Sequence, residues 1–341
     1  KSMRCKPPKL GFCKGDSVHI GTGCQQTPMA LDQPCPFVLG VAASGVTAIA
    51  RNAVAAPAAL TPRICIACRL VRRKDMNFEN VYWDWNSMQK DSHYPSILAI
   101  GDSWFWYPFF GGSLINQLGR LVAEKEHYIL ALGNNGAEAY DYVFGKYSKS
   151  VKTTLSDHGL ALSSIFISGG GNDFAGFNDL RPLLVDDCTN ANKAEDCFRA
   201  GDEERTLNWL MRKTAESYRA LIGQILASTD RRAKIIMHNY DYAFPSGKGV
   251  FGKKGSWLKP ALEDAKVPAT LQHECIKHLI DRVTNELKAL TKIDSSRILL
   301  VESANTLAER DWANELHPKP SGFKKIAVQK WRPVLAEIGL V

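Results

Sequence analysis

Four stretches of this chain carry side chains able to do chemistry where strand-like runs give way to turns. Ser103 ends Ser96-Ile-Leu-Ala-Ile-Gly-Asp-Ser103, an apolar run broken by Gly101-Asp102. Gly136 lies in Leu132-Gly-Asn-Asn-Gly-Ala-Glu138, Asn172 in Ser168-Gly-Gly-Gly-Asn-Asp173, and His317 in Glu315-Leu-His-Pro318. A hydroxyl, an imidazole and hydrogen-bond donors freed by glycine turns are the parts of acyl transfer. The serine attacks, the histidine takes its proton, and the donors receive the oxyanion. Glycine at 136 lets backbone approach closely, and an N–H where a helix starts favours negative charge. The Asn172 amide offers a second donor, and His317 titrates near neutrality when unperturbed. Each residue also has a plainer reading. Ser103 suits a turn, Gly136 a tight bend, Asn172-Asp173 a helix cap, and His317 the surface.

The elements that must position these residues follow from hydropathy. Strand-like runs cover Ser96–Ile100, Tyr128–Leu132, Ser164–Ser168, Ala233–His238 and Arg297–Glu302. Most are apolar on both faces, as in a sheet covered on both sides. Helical stretches are predicted over Leu114–Glu124, Glu138–Tyr147, Arg205–Ser228, Ala269–Leu290 and Lys319–Ile338. The alternation predicts an α/β protein: a three-layer α/β/α sandwich with a five-stranded parallel, flavodoxin-like sheet. Ligands of such sheets bind beyond the strands' carboxyl ends, where all four stretches fall. Insertions at about 174–204 and 243–268 are expected to shape a substrate site.

Together the blocks GDSW (Gly101–Trp104), NNGAE (Asn134–Glu138), GGND (Gly170–Asp173) and HPKPSG (His317–Gly322) resemble the SGNH (GDSL-type) hydrolases over about residues 96–340. The resemblance implies Ser103 as nucleophile, His317 as base, and an oxyanion hole of Ser103 N–H, Gly136 N–H and the Asn172 side chain. It implies a serine esterase working through an acyl-enzyme, without metal or organic cofactor. The chain departs from the family in reading GDSW for GDSL, which leaves the serine in place. It departs again where the family sets an aspartate three residues before its histidine, because that position is Asn314. Asparagine accepts a hydrogen bond from imidazole but supplies no charge for imidazolium. Asp311 or Glu315 turning inward, or a backbone carbonyl completing a Ser–His dyad, are the other routes. Asp311 is favoured, since Glu315 stands only two residues from His317.

Trp104, Trp106 and Tyr107, with Asn239 and Tyr240 after the fourth strand, are the substrate-pocket candidates. They suit an acyl pocket, a sugar platform, or simply core. Lipid or lysophospholipid acyl esters are slightly favoured; O-acetyl esters on carbohydrate or cell-wall polymer are the alternative. A non-catalytic binding module on the same fold is the rival from another class. His238, His273 and His278 read as structural, because His273, Cys275 and His278 do not share one helix face well enough for a metal site.

The remaining signals lie mostly upstream. The chain has 341 residues and a formal charge of +8. Residues 1–75 hold 11 Lys/Arg against 3 Asp/Glu, and the rest hold 32 of each, so the excess belongs to the N-terminal part. Residues 1–85 thus read as a basic, Cys-rich, mostly irregular segment, and 86–341 as the hydrolase domain. The segment suits contact with an anionic surface, and no specific nucleic-acid binding is expected. Six of the nine cysteines fall within the first 68 residues, and Cys188 and Cys197 enclose a polar loop suited to a local bridge. Disulfides are favoured over zinc there, which places the protein outside the reducing cytosol, secreted or periplasmic.

Overall fold

The computed structural model describes residues 80–106, 112–250 and 255–341. The expectations for the Cys-rich segment before residue 80, and for Tyr107, lie outside the described residues. Six strands form one parallel sheet: β1 (Val81–Tyr82), β2 (Ile97–Gly101), β3 (Ile129–Gly133), β4 (Ser164–Ser168), β5 (Lys234–His238) and β6 (Ile298–Val301). Their spatial order is β1-β3-β2-β4-β5-β6. β2 to β6 are the five predicted strands in flavodoxin-like order. The sixth, β1, is an addition of two residues at the edge, where Val81 and Tyr82 pair with Ile129 and Leu130. It falls inside the stretch read as the N-terminal segment, so the sheet begins before residue 86.

The helices fall into two sets, one for each face of the sheet. α1 (Leu114–Val122) packs against α5 (Pro320–Ile326); α3 (Leu207–Ser228) packs against α2 (Ser148–His158) and α4 (Ala269–Thr291). Covered on both sides, Ile97, Leu98, Ala99 and Ile100 of β2 have no exposed surface. The helix predicted over Glu138–Tyr147 is instead a single 3₁₀ turn, Ala139–Tyr142, and the full helix is α2 downstream. α2 buries only Val151 and Leu155 and is rich in Ser, Thr and Lys, so its apolar periodicity is faint. The C-terminal helix passes through a π turn at Ala327–Trp331 before Arg332–Glu337. Pro333 has no N–H for the carbonyl one turn back, which accounts for the altered winding.

The sheet order fixes where chemistry can sit. The chain leaves β2 for β3 on one side, then returns to β4 on the other, so the carboxyl end of β2 is the point where the winding reverses. Register levels the three strand ends: Gly101 lies beside Gly133 and beside Ser168. Gly101 has to be glycine, because a Cβ there would lie 2.6 Å from the Phe105 ring and 2.9 Å from Ser168 Cβ.

Candidate active site

The turn after β2 is built by Asp102. Its carbonyl accepts from Phe105 N–H (3.0 Å) and Trp106 N–H (2.9 Å), and its carboxylate from Trp104 N–H (3.0 Å). The carboxylate also accepts from Ser168 Oγ (3.1 Å) and Tyr240 Oη (2.5 Å), and Tyr240 Oη in turn accepts from Gly171 N–H (3.1 Å). One buried side chain thus ties together the ends of β2, β4 and β5. Burial raises the Asp102 carboxyl to about 6, with the Tyr240, Trp104 and Ser168 donors pulling the other way.

Ser103, placed by this turn, meets His317 across 214 residues: Oγ lies 2.7 Å from Nε2. Both residues are buried. His317 is held by a small hairpin in which Trp312 and Pro318 bridge and Ala313 N–H donates to the His317 carbonyl (2.9 Å). Trp104 Nε1–H donates to the Leu316 carbonyl (2.9 Å), fastening the serine turn to the histidine loop.

His317 Nδ1 lies 3.1 Å from Asn314 Oδ1. The same oxygen accepts from the N–H groups of Leu316 (3.0 Å) and His317 (2.9 Å), which identifies it as oxygen and not the amide nitrogen. An acceptor there requires Nδ1 to carry the proton, leaving the Nε2 lone pair for the Ser103 hydroxyl. This is the tautomer a base needs, set by a neutral amide. Burial lowers the His317 imidazole to about 3, far below its usual range.

Asp311 does not take part, contrary to the sequence expectation. Its carboxylate accepts from Ala308 N–H (3.0 Å) and pairs with Lys325 Nζ (3.2 Å). Asp311 precedes the Trp312–Pro318 bridge, so the hairpin leaves it at the base of the loop while Asn314, at the tip, folds back onto the ring. Glu315 points away into the 243–268 insertion, where Gly247, Trp257, Leu258 and Lys259 N–H groups surround it.

Of the expected oxyanion donors, Asn172 lines the same cavity as Ser103. Gly136 adopts a φ of +72°, which only glycine takes readily, and its N–H has no hydrogen bond to a described residue. Ser103 N–H is likewise without one. Asn172 Nδ2 donates to the Ala137 carbonyl (3.0 Å), which orients the amide and leaves its second N–H without a partner among the described residues. Asp173 fixes this corner: its carboxylate accepts from Ala139 N–H (3.0 Å), and burial raises it to about 6.

The substrate-pocket candidates separate. A cavity of about 30 Å³ adjoins Ser103 and Asn172, lined by Trp104, Phe174, Leu258, Ile280 and Trp312. Trp106 lies outside it, with Trp83 and Tyr147 around a second hollow over the end of β3. Tyr240 reaches the cavity but spends its hydroxyl on Asp102 and Gly171. Asn239 is not a substrate contact: it is fully buried, donates to Thr284 Oγ1 (2.8 Å) and accepts from Ser303 N–H (2.5 Å).

Other expectations are corrected by the packing. Cys188 and Cys197 are free thiols with no disulfide between them; Cys188 Sγ instead faces the Cys197 carbonyl at 3.8 Å. They pack beside Cys275 in an apolar cluster, where burial raises all three thiols. Cys275 is thereby turned from His273, which stacks on Phe244, and from His278, which meets Glu195. His238 is sealed among Trp104, Phe105, Tyr240 and Trp331.

No family model matches the chain, and none of the curated proteins matches it. Among solved structures, it is similar to a protein assigned as a platelet activating factor from Streptococcus pneumonia. That match has 13% identity over 81% of this chain and 99% of that one, at a TM-score of 0.40. An assigned SGNH hydrolase from Slackia heliotrinireducens is 12% identical over 71% and 97%, at 0.41. A family two carbohydrate esterase from Clostridium thermocellum, in complex with cellohexaose, is 11% identical over 72% and 65%, also at 0.41. By its own residues, the chain has a parallel α/β sheet with the Ser103, Gly136 and Asn172 blocks after three of its strands and the His317 block in the loop that follows β6.

Proposed function

We propose that the protein is a serine-dependent carboxylic ester hydrolase that favours short acyl groups. The observation that carries the reading is the 2.7 Å contact between Ser103 Oγ and His317 Nε2, with Nδ1–H already committed to Asn314. In this reading Ser103 Oγ attacks the ester carbonyl while its proton passes to His317 Nε2. The oxyanion accepts from Ser103 N–H, Gly136 N–H and Asn172 Nδ2. Collapse expels the alcohol, which takes the proton from Nε2, and water deprotonated by the same nitrogen then hydrolyses the acyl-enzyme.

The size of the cavity supports the acyl preference. About 30 Å³ holds roughly two waters at 10–15 Å³ each. An acetyl methyl fits the enclosed part of this space, and a longer acyl chain would have to run out through its open side. Short acyl esters, O-acetyl groups included, are therefore favoured here over the lipid esters that the aromatic run suggested. The wild-type protein should be labelled by a fluorophosphonate, and kcat/KM should fall steeply from acetate to hexanoate esters. Absence of labelling in the folded protein would sink the hydrolase reading, and a rise with chain length would sink the short-acyl reading alone.

The neutral Asn314 leads to a prediction about pH. The base works only unprotonated, and its folded pKa of about 3 puts protonation well below the 6.5 of free imidazole. Activity should therefore persist far into acid for as long as the fold survives. Because the unfolded imidazole binds its proton first, stability contributed by this group is lost as pH falls below about 6.5. Asn314→Asp places a carboxylate beside Nδ1–H and should move the acid limb of kcat/KM up by about 1–3 pH units. An unmoved limb in that variant would show that His317 is not the titrating base.

A further inference from the structure

Glu315 is a carboxylate with no exposed surface, two residues from His317, and the mechanism above does not use it. Its surroundings are backbone. Oε1 accepts from Gly247 N–H (2.8 Å) and Lys259 N–H (3.2 Å), and Oε2 from Trp257 N–H (2.6 Å) and Leu258 N–H (2.8 Å). Its own N–H donates to the Lys248 carbonyl (3.1 Å). Five hydrogen bonds therefore join one residue of the histidine loop to both ends of the arm inserted after β5. A buried carboxylate stays in place only when both oxygens are satisfied, and here four N–H donors satisfy them.

Two of the residues it holds face the reacting groups. Leu258, fully buried, is a wall of the cavity beside Ser103. The Trp257 ring stands edge-on to His317, with centroids 6.1 Å apart at 78°.

We propose that Glu315 is a positioning residue for acyl selectivity. It clasps the inserted arm to the histidine loop so that Leu258 closes the acyl cavity. The inference rests on the ester-hydrolase reading, and adds to it the residue that sets how long an acyl group the site takes. Glutamine keeps the shape but presents an NH₂ where a carboxylate oxygen met two donors, so at least two of the four bonds are lost and donors face donors. Aspartate keeps both oxygens on a shorter stem.

The test compares wild type, Glu315→Gln, Glu315→Asp and Leu258→Ala on p-nitrophenyl acetate, butyrate and hexanoate, with fluorophosphonate labelling as a check on Ser103. Leu258→Ala removes the wall directly and should raise the hexanoate-to-acetate ratio of kcat/KM by about tenfold or more, the scale at which a pocket discriminates methylenes. Glu315→Gln should shift the ratio in the same direction while labelling persists, with Glu315→Asp between it and wild type. A Glu315→Gln protein that labels normally and keeps the wild-type acyl profile overturns the clasp and leaves the hydrolase reading standing. The same holds if all three esters slow by one factor. If Glu315→Gln does not fold, Glu315→Asp and Leu258→Ala decide: parallel shifts support the clasp, and an unchanged profile in either overturns it. Wild-type protein that neither labels nor hydrolyses any ester overturns both.

Discussion

Ser103→Ala is expected to lower kcat by about 10⁴–10⁶-fold and to abolish fluorophosphonate labelling. The reason lies in how few groups the chemistry has. Ser103 Oγ is the hydroxyl held 2.7 Å from His317 Nε2, while Nδ1 faces the Asn314 amide oxygen. His317→Ala should lose nearly as much, since the hydroxyl then keeps its proton at neutral pH. The two losses should not add, because they remove halves of one step, and Ser103→Ala/His317→Ala should resemble either single variant. Stability should change little in Ser103→Ala. The hydroxyl's bond to His317 is worth about 0.5–1.5 kcal/mol in general, and the Asp102 network that builds the turn does not pass through Oγ. Single-turnover hydrolysis of an activated acetate ester, alongside thermal unfolding, measures both. Ser103→Ala retaining more than a hundredth of wild-type turnover would mean that the nucleophile is another group.

What the sequence made legible, and what it hid, divides along the range of the interaction. The strand ends were readable because each is local: an apolar run, then glycines, then a polar residue that cannot continue the strand. The order of the blocks then implied that Ser103, Gly136, Asn172 and His317 share one edge of the sheet. Range defeated the rest. Asp102 looks like an ordinary turn residue until Tyr240, 138 positions later, is seen to donate to it. The same bond turns Tyr240 from an apparent substrate contact into a support. The choice between Asp311 and Asn314 depended on the Trp312–Pro318 bridge, which no periodicity announces. Charge suggested Asp311, but chain geometry selects the residue at the tip of the hairpin. Glu315 was set behind Asp311 for its nearness to His317; what it points at lies in an insertion whose glycines conceal any pattern. The cysteines show the opposite error, a short spacing taken as a bridge when both thiols pack into a buried cluster with Cys275.

Asn172→Ala is expected to reduce kcat by about 10²–10³-fold, roughly 2.7–4 kcal/mol of transition-state stabilisation, with KM nearly unchanged. Of the two amide hydrogens, one is held by the Ala137 carbonyl at 3.0 Å, and this bond aims the other. A ground-state ester carbonyl is a weak acceptor, so the free N–H matters chiefly once negative charge has formed. That is why the loss should fall on kcat. Asn172→Asp is the sharper variant. It keeps the volume but sets a carboxylate against both the Ala137 carbonyl and the developing oxyanion, so it should be slower than alanine. If the amide instead served to cap the next turn, the two substitutions would act through stability, with aspartate the milder. Its neighbour Asp173 does cap a turn, but the earlier one that begins at Ala139, whose N–H it accepts. Steady-state kinetics with a thermal unfolding midpoint for each variant separate the two accounts. A fall in kcat below tenfold for Asn172→Ala, or an aspartate variant faster than the alanine one, would remove Asn172 from the oxyanion hole and leave Ser103 N–H and Gly136 N–H to form it alone.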